Sequence, residues 1–488
     1  MKKALKFSGL IVLVLVVILL LKTVFYPSVQ LNVKTVDAIE IDNESVQNLA
    51  KAISFKTVSY EDYLLTDTAQ FLQFHVFLDS TYPLIFKYLE KEIHGNNALL
   101  YKWQGKNISL KPLVLMAHQD VVPVLEENWE KGPFSGEIDD QFIWGRGTLD
   151  DKSSLISIFE AVERLLEEGV VPERTVYLAF GDDEEVLGKG AQTLAATLKI
   201  RGVEAEMVID EGMSITSGIV PMISEPVALI GTSEKGYLTV ELTSKSAGGH
   251  SSMPQSETAI SILSKAIVKI TENQPAPEFT PPVKGFLSYI GPEIPWPARI
   301  VFANQWLLGG VLKSIYTSSG PGNASVRTTT APTMLKAGIK DNILPTEALA
   351  TVNFRLLPGD TSEKVITRLQ KVINDDRITV TTLKNSKEPD KVSPINCEAF
   401  NLLNKTIREC FENTYVAPAL VTGATDSYYF SEVSPHVYRF IPTIVSSENL
   451  ESMHGDNERI TIENYKDMIN FYYRLVKNFQ EDFDYMHK

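Results

Sequence analysis

Leu113-Val114-Leu115-Met116-Ala117-His118-Gln119-Asp120 is the stretch on which the fold turns: five apolar residues, then an imidazole and a carboxylate. A short apolar run of this kind reads as a buried strand, and two more segments repeat the plan. Val176 to Phe180 leads into Gly181-Asp182-Asp183-Glu184-Glu185, and Met207-Val208-Ile209 leads into Asp210-Glu211-Gly212. Helical patterns separate them over residues 153–168 and 189–199. The order strand, helix, strand, helix, strand predicts a parallel or mostly parallel sheet covered by helices, an α/β fold. In such sheets function gathers beyond the carboxyl ends of the strands. All three polar clusters fall there.

Outward from this unit, residues 44–54 and 69–92 read as amphipathic helices and 97–103 as a strand. After Gly236 the pattern changes. Alternating runs at 236–242, 348–356 and 378–383 and helical runs at 256–271 and 362–374 predict a smaller, inserted α+β unit with a mostly antiparallel sheet. The expected division is 1–27 (membrane anchor or signal), 28–45 (linker), 46–234 (main α/β domain, first part), 235–386 (inserted domain) and 387–488 (main domain, second part). Within the insertion, Phe286 to Tyr316 carries Trp296, Phe302, Trp306, Leu307 and Leu312. We expect it to form the lid's apolar core; a sharper reading is a tunnel or membrane-facing surface for acyl chains.

The N-terminus places Lys2, Lys3 and Lys6 before an apolar run from Gly9 to Leu21. Lys22-Thr23-Val24-Phe25-Tyr26-Pro27 offers no small-x-small cleavage site. An uncleaved anchor of about 17 residues is expected, at the short limit for a spanning helix. The positive-inside rule puts the body outside the cytoplasm; secretion after cleavage is the alternative. A net charge of −15 argues against a nucleic-acid partner. Cys397 and Cys410 fall on one helical segment, roughly 20 Å apart, too far to pair.

The polar clusters suit two zinc ions. His118 and Asp120 share a strand face, so one can ligate while the other fixes its tautomer. Asp150, in Trp144-Gly145-Arg146-Gly147-Thr148-Leu149-Asp150-Asp151-Lys152, can bridge two cations with its two oxygens. Of Glu184 and Glu185, one carboxylate binds metal and its neighbour takes a proton from water, whose pKa zinc lowers to about 7. Each cluster alone is more often a solvated strand end or helix start. Four such sites in one α/β unit are not.

Met116-Ala117-His118-Gln119-Asp120, Gly145-Arg146-Gly147-x-x-Asp150-x-Lys152 and Asp183-Glu184-Glu185, continued by Gly248-Gly249-His250-Ser251-Ser252, Asn342-Ile343-Leu344-Pro345, Asn353-Phe354-Arg355, Thr425-Asp426-Ser427 and His454, resemble the ordered signature of the dinuclear-zinc metallopeptidases. That family includes aminoacylase, glutamate carboxypeptidase and succinyl-diaminopimelate desuccinylase. Arg327-Thr328-Thr329-Thr330 and Lys336-Ala337-Gly338 resemble the branch of carboxypeptidase S and N-fatty-acyl-amino-acid synthase/hydrolase. The resemblance implies a zinc-peptidase-like mixed, mostly parallel sheet with a ferredoxin-like lid that often dimerises. It also implies two zinc ions. His118 would ligate one, Glu185 and His454 the other, with Asp150 bridging. One of Asp210 and Glu211, with Glu211 favoured, would complete the set. Glu184 would be the general base, Asp120 would orient His118, and His250 on the lid would polarise the scissile carbonyl. The peptide after Asp150 would be cis. Arg355 is the candidate for gripping a substrate carboxylate. The expected activity is hydrolysis of the amide joining an acyl group or peptide to a C-terminal amino acid. N-fatty-acyl-amino-acid hydrolysis or synthesis is the alternative, and an inactive scaffold using the lid for protein contacts is the non-enzymatic one.

Overall fold

A computed structural model describes residues 2–186, 188–384 and 386–480, excluding the side chains of Lys2 and Ala4. Numbered in chain order, the body's first strands are β1 (Glu90–His94), β2 (Ala98–Trp103), β3 (Leu113–His118), β4 (Val176–Gly181), β5 (Met207–Asp210), β6 (Ile215–Thr216) and β7 (Val227–Glu234). The lid supplies β8 (Gly236–Lys245), β9 (Thr329–Ala337), β10 (Glu347–Leu356) and β11 (Ile378–Thr382). The body closes with β12 (Tyr415–Val421), β13 (Val437–Arg439) and β14 (Ile444–Val445). The main sheet runs β1-β2-β4-β3-β5-β13-β7-β6-β14, with β12 also on β7. Its centre, β4-β3-β5-β13, is parallel; β1, β2 and the pairs β13–β7 and β6–β7 are antiparallel.

Strand periodicity of two divides each central strand between two cores. Leu113, Leu115, Ala117, Leu178, Phe180 and Ile209 enter the larger one, while Val114, Met116, Tyr177, Ala179 and Val208 enter the smaller, under the helix Lys189–Ile200. The helix Lys152–Glu167 packs on the larger core with the C-terminal helix Ile462–Phe479. The lid sheet, β9-β10-β8-β11, is antiparallel and buries alternate residues. Leu238, Val240, Leu242, Ala350, Val352 and Phe354 meet Ile262, Leu263, Ala266 and Ile270 of one helix and Val365, Leu369 and Ile373 of another.

Two expectations need correction. Residues 69–92 are not one helix. Pro83 cannot donate to the preceding turn, so Thr68–Thr81 ends at a non-helical Tyr82, a short helix Pro83–Tyr88 follows, and Glu90–His94 is a strand. Phe286 to Tyr316 does not form the lid's core. Its helices Pro281–Ile290, Arg299–Ala303 and Gln305–Thr317 pack on the body through Leu287, Ile290, Ile294, Phe302 and Leu312. Their apolar residues join that core instead. Cys397 and Cys410 are free, at the two ends of the helix Glu398–Cys410.

Candidate metal centre

The carboxyl ends of β3, β4 and β5 are neighbours in the sheet, so His118, the segment 182–185 and Asp210-Glu211 meet at one rim. A separate two-stranded pairing completes it. Phe142–Trp144 pairs with Arg459–Thr461, which brings the Asp150 loop and the His454 loop side by side.

The Gly-Arg-Gly turn has a conformational reason. Gly145 and Gly147 have φ of 140° and 93°, which disfavour side chains, and a Cβ at Gly145 would strike Ile53. The buried Arg146 turns inward to Glu458 and donates to the Gly455 carbonyl at 2.8 Å. Glu458 in turn accepts from the backbone N–H groups of Gly147, Leu149 and Asp150 at 3.1, 2.7 and 3.3 Å. The peptide between Asp150 and Asp151 is cis. Lys152 is buried and donates to the carbonyls of Ala52 and Phe55; burial pushes its pKa down to about 7.

Asp150 occupies the centre. Its Oδ1 lies 2.8 Å from His118 Nε2 and its Oδ2 lies 2.9 Å from His454 Nε2. His454 also stands 3.2 Å from Glu185 Oε1. Ligand atoms of His118, Asp150 and Glu185 lie within 4.8 Å of one another, as do those of His118, Glu184 and Glu211. Glu211 Oε1 is 3.9 Å from His118 Nε2, whereas Asp210 turns away and accepts the Ser427 N–H at 2.7 Å. Asp120 is fully buried below them. Its Oδ1 is 3.3 Å from His118 Nδ1 and accepts the Glu184 N–H, and its Oδ2 accepts the Glu185 N–H and the Ser59 hydroxyl.

As bare side chains these groups are electrostatically unsettled. Burial, then the surrounding acids, pushes the carboxyls of Glu184 and Glu211 well above the usual range. Burial also raises Glu185, whose buried Oε1 finds no hydrogen bond of good geometry. Asp150 goes the other way: burial opposes ionisation, but His118 and His454 outweigh it. The carboxylates of Asp150, then Glu185, facing its Nε2, raise the pKa of His454 to about 10. A cluster of acids and imidazoles with an orphaned buried oxygen is what a divalent cation would relieve, and the nitrogen and oxygen donors suit zinc.

The lid candidates stand elsewhere. Arg355, opposite Tyr237 at the end of the lid nearest β7, lies over the Tyr237 ring with 4.8 Å to its centroid. His250 pairs with Ile343 beyond the far end and is exposed, its Nδ1 2.8 Å from Ser252 Oγ. From Tyr237 to Lys245 the strand advances about 27 Å, at about 3.4 Å per residue. One small substrate therefore cannot touch Arg355 and His250 of the same lid as it stands. Met253, Met334, Leu335, Ile339 and Ile343 are exposed in the lid segments around His250.

Sequence reasoning did not single out Glu458, Ser59 or the buried trio Arg439, Glu234 and Asp390, in which Arg439 Nε donates to Glu234 at 3.0 Å. The available signal was a charge inside an apolar run, as in Tyr438-Arg439-Phe440.

Comparison with known proteins identifies the family. Residues 114–478 match the model of "Peptidase family M20/M25/M40". "Probable carboxypeptidase S-like 2" of Dictyostelium discoideum is 39% identical over 477 residues, covering 95% of this chain and 92% of that protein. "N-fatty-acyl-amino acid synthase/hydrolase PM20D1" of Xenopus tropicalis is 40% identical over 442 residues, covering 90% and 86%. Among solved structures, the M20 family metallo-carboxypeptidase Sso-CP2 of Sulfolobus solfataricus shares the fold, with a TM-score of 0.66 at 19% identity over 90% of this chain and 100% of that one.

Proposed function

Because the chain belongs to peptidase family M20/M25/M40, we propose how its rim performs the amide hydrolysis of a carboxypeptidase S-like metallopeptidase. His118 and Glu211 would hold one zinc ion, Glu185 and His454 a second, and Asp150 would serve both. The observation that carries this is the Asp150 carboxylate, with an imidazole on each of its oxygens. Zinc bound there supplies Lewis-acid polarisation of the scissile carbonyl and acidifies water. Glu184, with its carboxyl raised by burial and by neighbouring acids, takes the proton from the attacking water and delivers it to the departing nitrogen. Asp120 orients His118 and, through two backbone N–H groups, also sets the position of Glu184 and Glu185. Arg355, its guanidinium over the Tyr237 ring, would grip the substrate's free carboxylate through its N–H groups. His250 steadies the oxyanion, arriving by lid closure or from the lid of a second copy.

The catalytic body would comprise 46–234 and 387–488, joined by the helical segment 275–326 that packs on it. The lid would comprise the remainder of 235–386. The helix Lys2–Val24 would anchor the chain with its body outside the cytoplasm. The PM20D1 relatives support N-fatty-acyl-amino acids as the alternative substrate class, and comparing a blocked dipeptide with an N-acyl-leucine separates the two. Glu184→Gln tests the mechanism: zinc content stays at the wild-type level and kcat falls by about 10²–10⁴. Substantial residual turnover would remove Glu184 from the role of base.

A further inference from the structure

The helical segment that leaves the lid for the body also meets the N-terminal helix. The end of Lys2–Val24 is held by the protein: Thr23 is fully buried, and Asn304 donates to the Leu19 carbonyl at 3.1 Å and to the Thr23 hydroxyl at 3.2 Å. Tyr26 then donates to the Leu287 carbonyl at 3.1 Å. Every residue from Leu5 to Val14 is exposed. Leu5–Val24, at about 1.5 Å per residue, is about 30 Å long, the thickness of a bilayer's hydrocarbon core.

Beside that exit point the helix Gln305–Thr317 turns an apolar side to solvent. Leu307, Val311 and Ile315 repeat every four residues and are 46%, 48% and 56% exposed. Trp306, next to Leu307 in sequence, is exposed, as is Trp296 ten residues earlier in the same segment. The Lys22 ammonium, which closes the apolar run of the anchor, lies 5.3 Å from the Trp306 ring centroid. Tryptophan and lysine at one level are the residues of a membrane–water boundary. Charge points the same way. The chain carries 61 acidic residues, yet none lies between Glu293 and Arg327, where Arg299 and Lys313 are the only charges.

We propose that the face of Gln305–Thr317, with Trp296, is an interfacial membrane contact, lying in the surface of the bilayer that Lys2–Val24 spans. The occupant is lipid with anionic headgroups, and the contact fixes the body's orientation on the membrane. The inference rests on the anchored reading above but is independent of the hydrolytic one.

The anchor helix contains no tryptophan, which makes the test specific. The full chain is reconstituted into phosphatidylcholine–phosphatidylserine vesicles with brominated acyl chains, and tryptophan emission is recorded. Bromine should quench the wild type, and Trp296→Phe with Trp306→Phe should lose most of the quenching, since Trp103, Trp129 and Trp144 belong to the body. Hydrolysis of a water-soluble substrate should be unchanged in that variant, which establishes that it folds. Equal quenching in both proteins, or none in vesicle-bound wild type, overturns the proposal and leaves the hydrolase reading intact. A Val311→Cys chain that cross-links to another copy in the vesicle would assign the face to self-association, and also overturns it. Failure of the full chain to remain with alkaline-washed vesicles sinks the anchor, and the interfacial contact with it.

Discussion

At the sheet rim Asp120 is out of contact with solvent and accepts hydrogen bonds from Ser59, Glu184 and Glu185; on the lid His250 stands in water, bonded to Ser252 two residues away. The contrast extends to their surroundings. Three acids at the rim are tied to backbone from a distant part of the chain: Glu458 to the turn at residues 147–150, Asp210 to Ser427, and Asp120 to Glu184 and Glu185. Of the lid candidates, Arg355 sits on the four-stranded sheet and His250 on a two-stranded pairing beyond its far end, with about 27 Å of strand from Tyr237 to Lys245 between those ends, at about 3.4 Å per strand residue. The rim is therefore organised before substrate arrives, and the role proposed for His250 requires the lid to be brought to it. Preorganised charges cost no rearrangement at the moment of reaction, whereas a mobile donor acts only in the closed state.

The largest expected effect tests the rigidity of the rim. Glu458→Ala leaves Arg146 buried without its partner and three backbone N–H groups without an acceptor, which should cost about 3–5 kcal/mol of unfolding free energy. Denaturant unfolding measures it; a loss below about 1 kcal/mol would mean that the turn holds itself. Next comes the lid. His250→Ala should lower kcat by about 10²–10³ while unfolding stays within about 0.5 kcal/mol of wild type, as at other exposed positions. Unchanged kcat would remove His250 from the reaction. Mixing His250→Ala chains with Glu184→Gln chains then locates the donor. Recovered turnover assigns His250 to a neighbouring copy's site, and no recovery assigns it to closure within one chain.

The same contrast explains what could be read in advance. The central strands were legible because burial on both faces writes near-continuous apolar runs, and their polar ends announced the rim. Asp150 was legible because two glycines and paired acids crowd into one turn. Glu458 was not: it works through backbone N–H groups about 310 residues earlier, and nothing local distinguishes it from the acids around it. The choice between Asp210 and Glu211 needed the side-chain directions at the end of β5, which send Asp210 to Ser427 and Glu211 towards His118. The segment 281–317 was assigned to the lid because composition reports that residues are apolar and not which core receives them.

Smaller effects sharpen the boundary between positioning and contact. Asp120→Asn keeps the shape and a weaker acceptor for Glu184 and Glu185 but removes the charge beside His118. Metal affinity should fall about 10- to 100-fold, as for other groups that orient a ligating histidine, and competition with a chelator measures it. A change in kcat with no change in metal affinity would place Asp120 nearer the chemistry.

The smallest change belongs to the lid's other candidate. Arg355 makes no ion pair among the described residues, and its guanidinium lies on the Tyr237 ring. Lysine at this position would keep the positive charge and lose the planar fork, so that a substrate carboxylate is held by one charge-assisted hydrogen bond rather than two. Losing one such bond costs about 1 kcal/mol, roughly fivefold in KM, with kcat nearly constant. The same substitution should leave a substrate amidated at its C-terminus unaffected, because that substrate has no carboxylate to grip. An equal loss on both substrates would make Arg355 a brace for the end of the lid beside Lys235, and the carboxylate would have to be read by the rim itself.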